Sequence, residues 1–148
     1  MTQLTHLDSE GSAHMVDVAH KPDQRRTAIA EGFLTMAPAT LDLVRQGLMK
    51  KGEVRAVAVI AGIGAAKETW RLIPLCHHVQ LSSVDVDVQF EERGARVCAS
   101  ARCTGQTGVE MEALMATSVA LLAIYDMCKA VDKQMEIISV KLLEKRKE

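Results

Sequence analysis

Hydrophobic and polar residues alternate in the middle of the chain with the period of a β-strand. Residues 82–92 read SSVDVDVQFEE, with an apolar side chain at every second position from Val84 to Phe90. Because successive strand side chains point to opposite faces, this pattern predicts a strand with one buried and one solvated face. Residues 93–94 (RG) predict a turn, and residues 95–103 predict the partner strand of a hairpin.

Two more strands are predicted near the ends of the sequence. Residues 25–36 (RRTAIAEGFLTM) alternate partly with period two, and residues 135–145 (MEIISVKLLEK) give the last strand. After the first of these strands, Pro38 suits the first turn of a helix. Residues 39–49 carry leucine and valine at helical spacing, which predicts that helix.

Two longer segments are predicted to be helices. Residues 53–73 begin with β-branched residues that would also fit a strand, but the run is long and Ala-rich, and Pro74 ends it. Residues 108–131 follow a capping-box pattern, with Thr107 as N-cap and Glu110 at the third helical position. Since the second helix is apolar around most of its circumference, we expect it to be buried on more than one side, including against another subunit.

The order of these elements is strand, helices, strand, strand, helix, strand. This order is typical of the α+β ferredoxin-like (split βαβ) fold, an antiparallel sheet with helices on one face. Residues 25–148 are therefore predicted to form one domain. Residues 1–24 are polar and predict a flexible N-terminal arm, in which HMVDV (14–18) is a short apolar island able to dock elsewhere.

Composition excludes some functions. The 148 residues carry a net charge of −1 and only 3% aromatic residues, so we expect no nucleic-acid partner and no anionic membrane partner. Four scattered cysteines and a polar beginning without an apolar leader lead us to expect reduced thiols and a cytoplasmic location.

The stretch LIPLCHH (72–78) offers a thiol and two imidazoles, which zinc accepts as ligands. Neighbouring side chains diverge, however, and no second cluster supplies the missing ligands. Cys98 and Cys103 are five residues apart on a predicted strand, so they point to opposite faces. A zinc site at Cys76-His77-His78 is therefore the minor interpretation of this stretch.

GIGAAKET (62–69) is close to two phosphate-binding patterns but matches neither, because Ala66 precedes Lys67 and the third glycine is absent. The pattern favours a helix with small residues at a close packing contact. Lys67 remains a candidate anion ligand.

The long helix carries titratable groups at both ends. Asp126 and Lys129 are three residues apart and share a face, and the apolar residues before Asp126 predict that it is at least partly buried. A buried carboxylate beside a lysine suits proton transfer. Glu112 lies about 21 Å away along the same helix, too far for an acid–base pair. These groups therefore contact opposite ends of a large ligand or belong to two sites.

Several long motifs resemble the cyclic pyranopterin monophosphate synthase (MoaC) family. They are LTHLDSEGSAHMVDV (4–18), AGIGAAKETWRLIP (61–74), LIPLCHH (72–78), TGQTGVEMEAL (104–114) and IYDMCKAV (124–131). The resemblance covers nearly the whole chain and implies a ferredoxin-like fold. It also implies hexamers, built as trimers of dimers, with active sites at the subunit interface.

The reaction that the resemblance implies belongs to molybdenum-cofactor biosynthesis. A lyase converts 3′,8-cyclo-dihydro-GTP to cyclic pyranopterin monophosphate and releases pyrophosphate. No cofactor is required, although Mg²⁺ would accompany the triphosphate. The alternative interpretation is a non-catalytic oligomeric module of the same fold that binds a nucleotide or metabolite.

The resemblance also assigns roles to individual residues. His77 would shuttle protons, as histidines do near neutral pH. Where the family chiefly has proline, this chain has His78, whose role stays open. The implied catalytic residues are Lys51, His77, Asp126 and Lys129; the implied substrate-binding residues are Leu75, Cys76, His77, Met111 and Glu112, with Lys67 and Arg26 as weaker candidates for anion binding.

Overall fold

The computed structural model describes residues 6–148 and contains a four-stranded antiparallel sheet and three helices. The strand order β2-β3-β1-β4 places the first and third strands in the centre, as in ferredoxin-like folds. The predicted fold class is therefore confirmed. The elements are β1 Gln24–Thr35, α1 Pro38–Arg45, α2 Val54–Leu72, β2 Leu81–Glu91, β3 Gly94–Gly105, α3 Glu110–Cys128 and β4 Glu136–Lys147.

The helices cover one face of the sheet. Along β3, alternate residues from Ala95 to Ala101 are completely buried, whereas the intervening residues from Arg96 to Arg102 are half-buried or exposed. Helix α3 packs on β1 and β3, and α2 packs on β2. Many of the buried side chains are alanines, so the helices can approach the sheet closely.

Helix α3 is buried on two sides, as its composition predicts. The sheet covers one side, and α2 of the same chain covers the other, so the second side does not require another subunit. Gly62 lies at the α2–α3 crossing, where a Cβ atom would stand 2.9 Å from the Ala116 carbonyl oxygen and 3.1 Å from Val86. The expectation of small residues at a close helix contact is therefore confirmed.

Among residues 6–148, α3 is the one helix with the length and hydropathy of a membrane span. Half of its most apolar stretch is buried inside the fold, against α2 and the sheet. The same apolar character is expected of a helix in a protein core.

The predicted capping box is wrong. Helix α3 begins at Glu110, and its N-cap residue Val109 makes no side-chain capping hydrogen bond. The Glu110 carboxylate instead forms an ion pair with Lys145 of β4. This tertiary contact engages the carboxylate that a capping box would bond to the N-cap amide. Thr107 lies before the helix, where its carbonyl oxygen accepts a hydrogen bond from the Cys103 thiol.

Strand β4 leaves a row of apolar side chains exposed. It is an edge strand in the sheet, and an edge strand with exposed apolar side chains is a surface on which another chain can pack. Leu122 on α3 is also 55% exposed. The exposed apolar residues of β4 are Ile137, Ile138, Val140, Leu142 and Leu143.

Asp132 joins the end of α3 to the start of α1. Its buried carboxylate accepts hydrogen bonds from the Ala37 amide at 2.9 Å and the Thr40 hydroxyl at 3.0 Å, and from the Gln134 amide at 3.1 Å. Burial acts to raise the pKa of Asp132, but these three hydrogen bonds outweigh it, and the pKa lies below the usual value.

We expect Asp132→Ala to lower the free energy of unfolding at neutral pH by about 1–3 kcal/mol, because three donors lose their acceptor. A carboxyl whose pKa is depressed on folding stabilises the protein above its unfolded pKa of about 4, and this contribution disappears as the pH falls through the folded value. Urea denaturation at several pH values should therefore show the difference between wild type and variant shrinking in acid. A difference that stays constant with pH would contradict this role.

Candidate active site

A pocket of about 440 Å³ lies between the α2–β2 connection and the first turn of α3. The N-terminal arm, here residues 6–23, forms its remaining wall. Five of the seven residues implied to bind substrate line this pocket. They are Leu75, Cys76, His77, Met111 and Glu112.

Local chain geometry explains why these residues meet. Helix α2 ends at Leu72, and the Cys76 amide then donates to the Ile73 carbonyl oxygen, which turns the chain toward β2. The loop after β3 brings Thr107 and Gly108 to the opposite wall. The pocket therefore lies where a helix-to-strand and a strand-to-helix connection come together.

Glu112 is the most unusual group in the pocket. Only 4% of the residue is exposed, and no lysine, arginine or histidine among residues 6–148 forms an ion pair with it. Burial raises the pKa of Glu112, and the nearby Glu110 carboxylate raises it further, although a hydrogen bond with its own backbone acts in the opposite direction. A buried carboxyl without a cation is suited to bind N–H groups of a ligand or to carry a proton.

The Cys76 thiol is not an activated nucleophile. Burial raises its pKa, and the carboxylates of Glu112 and Glu110 raise it further. Because the thiolate is the reactive form, this side chain serves the pocket as a neutral, weakly polar wall.

The two adjacent histidines face different surroundings. The Nε2 atom of His77 lies 2.7 Å from the carbonyl oxygen of Val16 in the arm, and the residue lines the pocket. His78 is exposed, and its ring packs against Trp70 with 4.8 Å between ring centroids. His77 is therefore the imidazole of the pocket, whereas the His78 ring makes a packing contact outside it.

A second cluster forms around Asp126. The Lys51 ammonium donates to the Asp126 carboxylate at 2.9 Å and to its backbone carbonyl at 3.0 Å. The Lys129 ammonium lies 2.7 Å from the other carboxylate oxygen. Residues from the loop after α1 and from the last turn of α3 thus form one hydrogen-bonded group, whereas His77, the fourth implied catalytic residue, lines the pocket instead.

The expectation that Asp126 is partly buried is wrong. Its side chain is 56% exposed, because the last turn of α3 presents it to the Lys51 loop and solvent while its neighbours Met127 and Cys128 face the core. Hydrogen bonds from Lys129 and Lys51 lower the pKa of Asp126 to about 2. The same contact raises the pKa of Lys129. At neutral pH, Asp126 is therefore an anion that holds two ammonium groups in place.

The pocket and the Asp126 cluster lie at opposite ends of α3. The rise of a helix puts Glu112 and Asp126 about 21 Å apart along its axis. The two groups therefore do not form one cavity within a single protomer.

The two weaker candidates lie in neither group. Lys67 is exposed on α2. The Arg26 guanidinium donates to the carbonyl oxygens of Gly105 and Gln106, each at 3.3 Å, and so supports the loop next to the pocket without lining it.

The structure adds several residues from the arm to the pocket. In the sequence, the apolar island 14–18 contains two of them and the motif 4–18 contains three. The arm residues that line the pocket are His6, Val16, Val18 and Lys21.

Within the described part of the chain, no group of three or more His, Cys, Asp or Glu residues is arranged to hold a metal ion. Cys76 and His77 line the pocket, whereas His78 turns to Trp70, so the three neighbours diverge. The four cysteines are free, and Cys98 and Cys103 lie on opposite faces of β3 as expected.

Comparison with known protein families identifies this chain as a member of one of them. The model of the MoaC family matches residues 15–148, which include all the helices and strands described above, the Asp126 cluster and the pocket except for His6.

Proposed function

The chain belongs to the MoaC family of molybdenum-cofactor biosynthesis, and we propose that it is the lyase that converts 3′,8-cyclo-dihydro-GTP to cyclic pyranopterin monophosphate and pyrophosphate. The observation that carries this proposal is the Lys51–Asp126–Lys129 cluster. Residues 75 positions apart in sequence form a hydrogen-bonded group of two cations and one anion. Two of them belong to the motif IYDMCKAV, which resembles the catalytic motif of the family.

The proposed reaction needs the kinds of side chain that the two sites contain. Opening and reclosing the purine-derived ring requires several proton transfers, for which lysine and histidine are suitable groups. Forming the cyclic phosphate displaces pyrophosphate, whose charge cations stabilise. In this scheme Asp126 is a fixed anion, and Lys51 and Lys129 contact the reacting groups.

Glu112 is suited to hold the heterocycle. A guanine-derived ring presents adjacent N–H groups, and a carboxylate accepts two such hydrogen bonds at once. No lysine or arginine among residues 6–148 competes for it. We therefore assign Glu112, with Leu75, Cys76, His77 and Met111, to substrate binding.

We also propose that the site is assembled between subunits of a hexamer, a trimer of dimers. Two observations support this. The pocket and the Asp126 cluster are about 21 Å apart on one helix, so a neighbouring protomer is needed to bring them together. The exposed apolar side chains of β4 give the protomer a surface for association.

The remaining expectations follow from the family. We propose that no organic cofactor is required, that Mg²⁺ enters with the triphosphate as part of the substrate, and that the enzyme works in the cytoplasm.

We expect the purified protein to convert the cyclised GTP derivative to the cyclic pyranopterin and to release one pyrophosphate per turnover. Mass spectrometry of the products and a coupled pyrophosphate assay would measure both. Glu68→Ala, which removes one partner of a surface ion pair with Arg71 on α2, is a matched control that should retain full turnover. If the protein binds the nucleotide and returns it unchanged, the alternative of a non-catalytic binding module replaces the proposal.

A further inference from the structure

The N-terminal arm is tied to the rest of the fold next to His77. Two side-chain hydrogen bonds among the described residues connect arm and body. His77 Nε2 lies 2.7 Å from the Val16 carbonyl oxygen, and Gln106 Nε2 lies 3.4 Å from the Ala19 carbonyl oxygen. The first is short and well formed, and the second is at the limit for a hydrogen bond. His77 therefore provides the main polar attachment of the arm.

The chemistry of this contact fixes where the imidazole proton lies. A carbonyl oxygen has lone pairs and no proton, so it only accepts hydrogen bonds. The Nε2 atom of His77 must therefore be the donor, and in the neutral ring the lone pair lies on Nδ1. Among residues 6–148, no group forms a hydrogen bond with Nδ1. That nitrogen is free to exchange a proton with a ligand.

We propose that the arm is a latch over the pocket and that the Val16 carbonyl is a positioning group for His77. One contact closes a wall of the cavity and selects the tautomer in which Nδ1 exchanges protons. The proton-transfer part of this inference rests on the proposed function, whereas the latch and the tautomer do not.

The latch does not depend on the protonation state of the ring. An imidazolium donates from both nitrogens, so Nε2 continues to donate to Val16 after Nδ1 accepts a proton. The arm therefore stays closed while His77 gains and loses a proton. Opening of the arm requires the hydrogen bond between His77 and Val16 to break.

The tautomer is tested directly by nitrogen NMR. In the full chain labelled with ¹⁵N-histidine, at a pH where the ring is neutral, we expect His77 to show the pattern of a protonated Nε2 and an unprotonated Nδ1. The exposed His78, which has no such acceptor among residues 6–148, should show averaging between the two tautomers and serves as the internal reference. A protonated Nδ1 at His77, or averaging like that of His78, would overturn the proposal.

The latch is tested with two substitutions of the same residue. Gln places its side-chain N–H near the position of Nε2 and keeps the donor to Val16, whereas Asn is too short to reach it. We expect His77→Asn to speed amide hydrogen exchange in residues 13–21 about fivefold, the factor that corresponds to one net hydrogen bond, and His77→Gln to leave it near the wild-type rate. Equal exchange in the two variants would show that His77 does not hold the arm.

Turnover measurements on the wild type and the two His77 variants distinguish a failure of the latch from a failure of the proposed function. Both variants lack Nδ1 as a base, so both should lose turnover, although only one releases the arm. If the wild-type protein has no turnover yet shows the expected tautomer and exchange, the proposed function fails and the latch stands. If His77→Gln retains turnover, the role of Nδ1 is wrong.

Discussion

Replacing Lys51 with alanine should lower kcat by about two to four orders of magnitude, the usual effect of removing a group that transfers protons. Lys51 is on an exposed loop with 45% of its side chain accessible, and its ammonium bonds only to Asp126 among the described residues. The substitution thus removes no core packing, so we expect the fold and the oligomer to remain intact. Circular dichroism and light scattering would establish that, alongside turnover of the cyclised GTP substrate.

Asp126→Asn should lower kcat by a similar factor, but through its effect on the neighbouring lysines. The carboxylate is ionised at neutral pH and raises the pKa of Lys129 through a direct hydrogen bond. Removing its charge should therefore lower the pKa of Lys129, which lysine side-chain NMR measures. Turnover within tenfold of wild type in either variant would remove that residue from the catalytic group, and the Glu68→Ala control would exclude a general effect of altered surface charge.

The fold could be predicted from the sequence because local pattern and tertiary packing agree. The alternation in residues 82–92 appears as β2, and the Ala-rich run that would also fit a strand is helix α2. For α2 the length of the run distinguished helix from strand, because a buried apolar helix and a buried apolar strand have similar composition. All four strands begin and end within two residues of the predicted bounds.

The errors came from contacts that a linear pattern does not contain. The capping box failed because Glu110 pairs with Lys145, which lies 35 positions further along the chain. Asp126 was expected to be at least partly buried because its sequence neighbours are apolar, yet a helix surface turns by about 100° per residue and the polar side faces the Lys51 loop. The hydrogen bond between Val16 and His77 was not predicted for the same reason, because it joins residues 61 positions apart in the sequence.

The separation of the two candidate sites was predictable, because it depends only on helix geometry. Glu112 and Asp126 lie on one continuous helix, so their distance follows from the rise per residue. The proposed combination of the pocket and the Asp126 cluster across a subunit interface could not be predicted in the same way, since no local sequence pattern encodes such an interface. The exposed residues of β4 became visible only when the sheet order made β4 an edge strand.

Gly62→Leu should lower the free energy of unfolding by about 3 kcal/mol or more, the upper range for overpacking a closely packed contact. A Cβ atom alone would stand 2.9 Å from the backbone carbonyl oxygen of Ala116, and backbone cannot move aside as a flexible side chain does. The larger side chain must therefore push α2 away from α3, the helix whose two ends carry the pocket and the Asp126 cluster. Urea denaturation would measure the loss, and catalytic activity should fall with it.

Gly64 is the matched control because it lies two residues away in the same helix, where an added Cβ atom would meet no other atom within 4 Å. Replacing either glycine with alanine increases helix propensity by about 1 kcal/mol. Gly64→Ala should therefore stabilise the protein, whereas Gly62→Ala should destabilise it, because the contact with Ala116 outweighs the same gain. If both alanine variants stabilised the protein, helix propensity rather than the α2–α3 contact would govern this segment. Stability changes of opposite sign in the two alanine variants would show that the close approach of α2 and α3 requires glycine at position 62. Because both candidate sites lie at the ends of α3, their geometry would depend on the same contact.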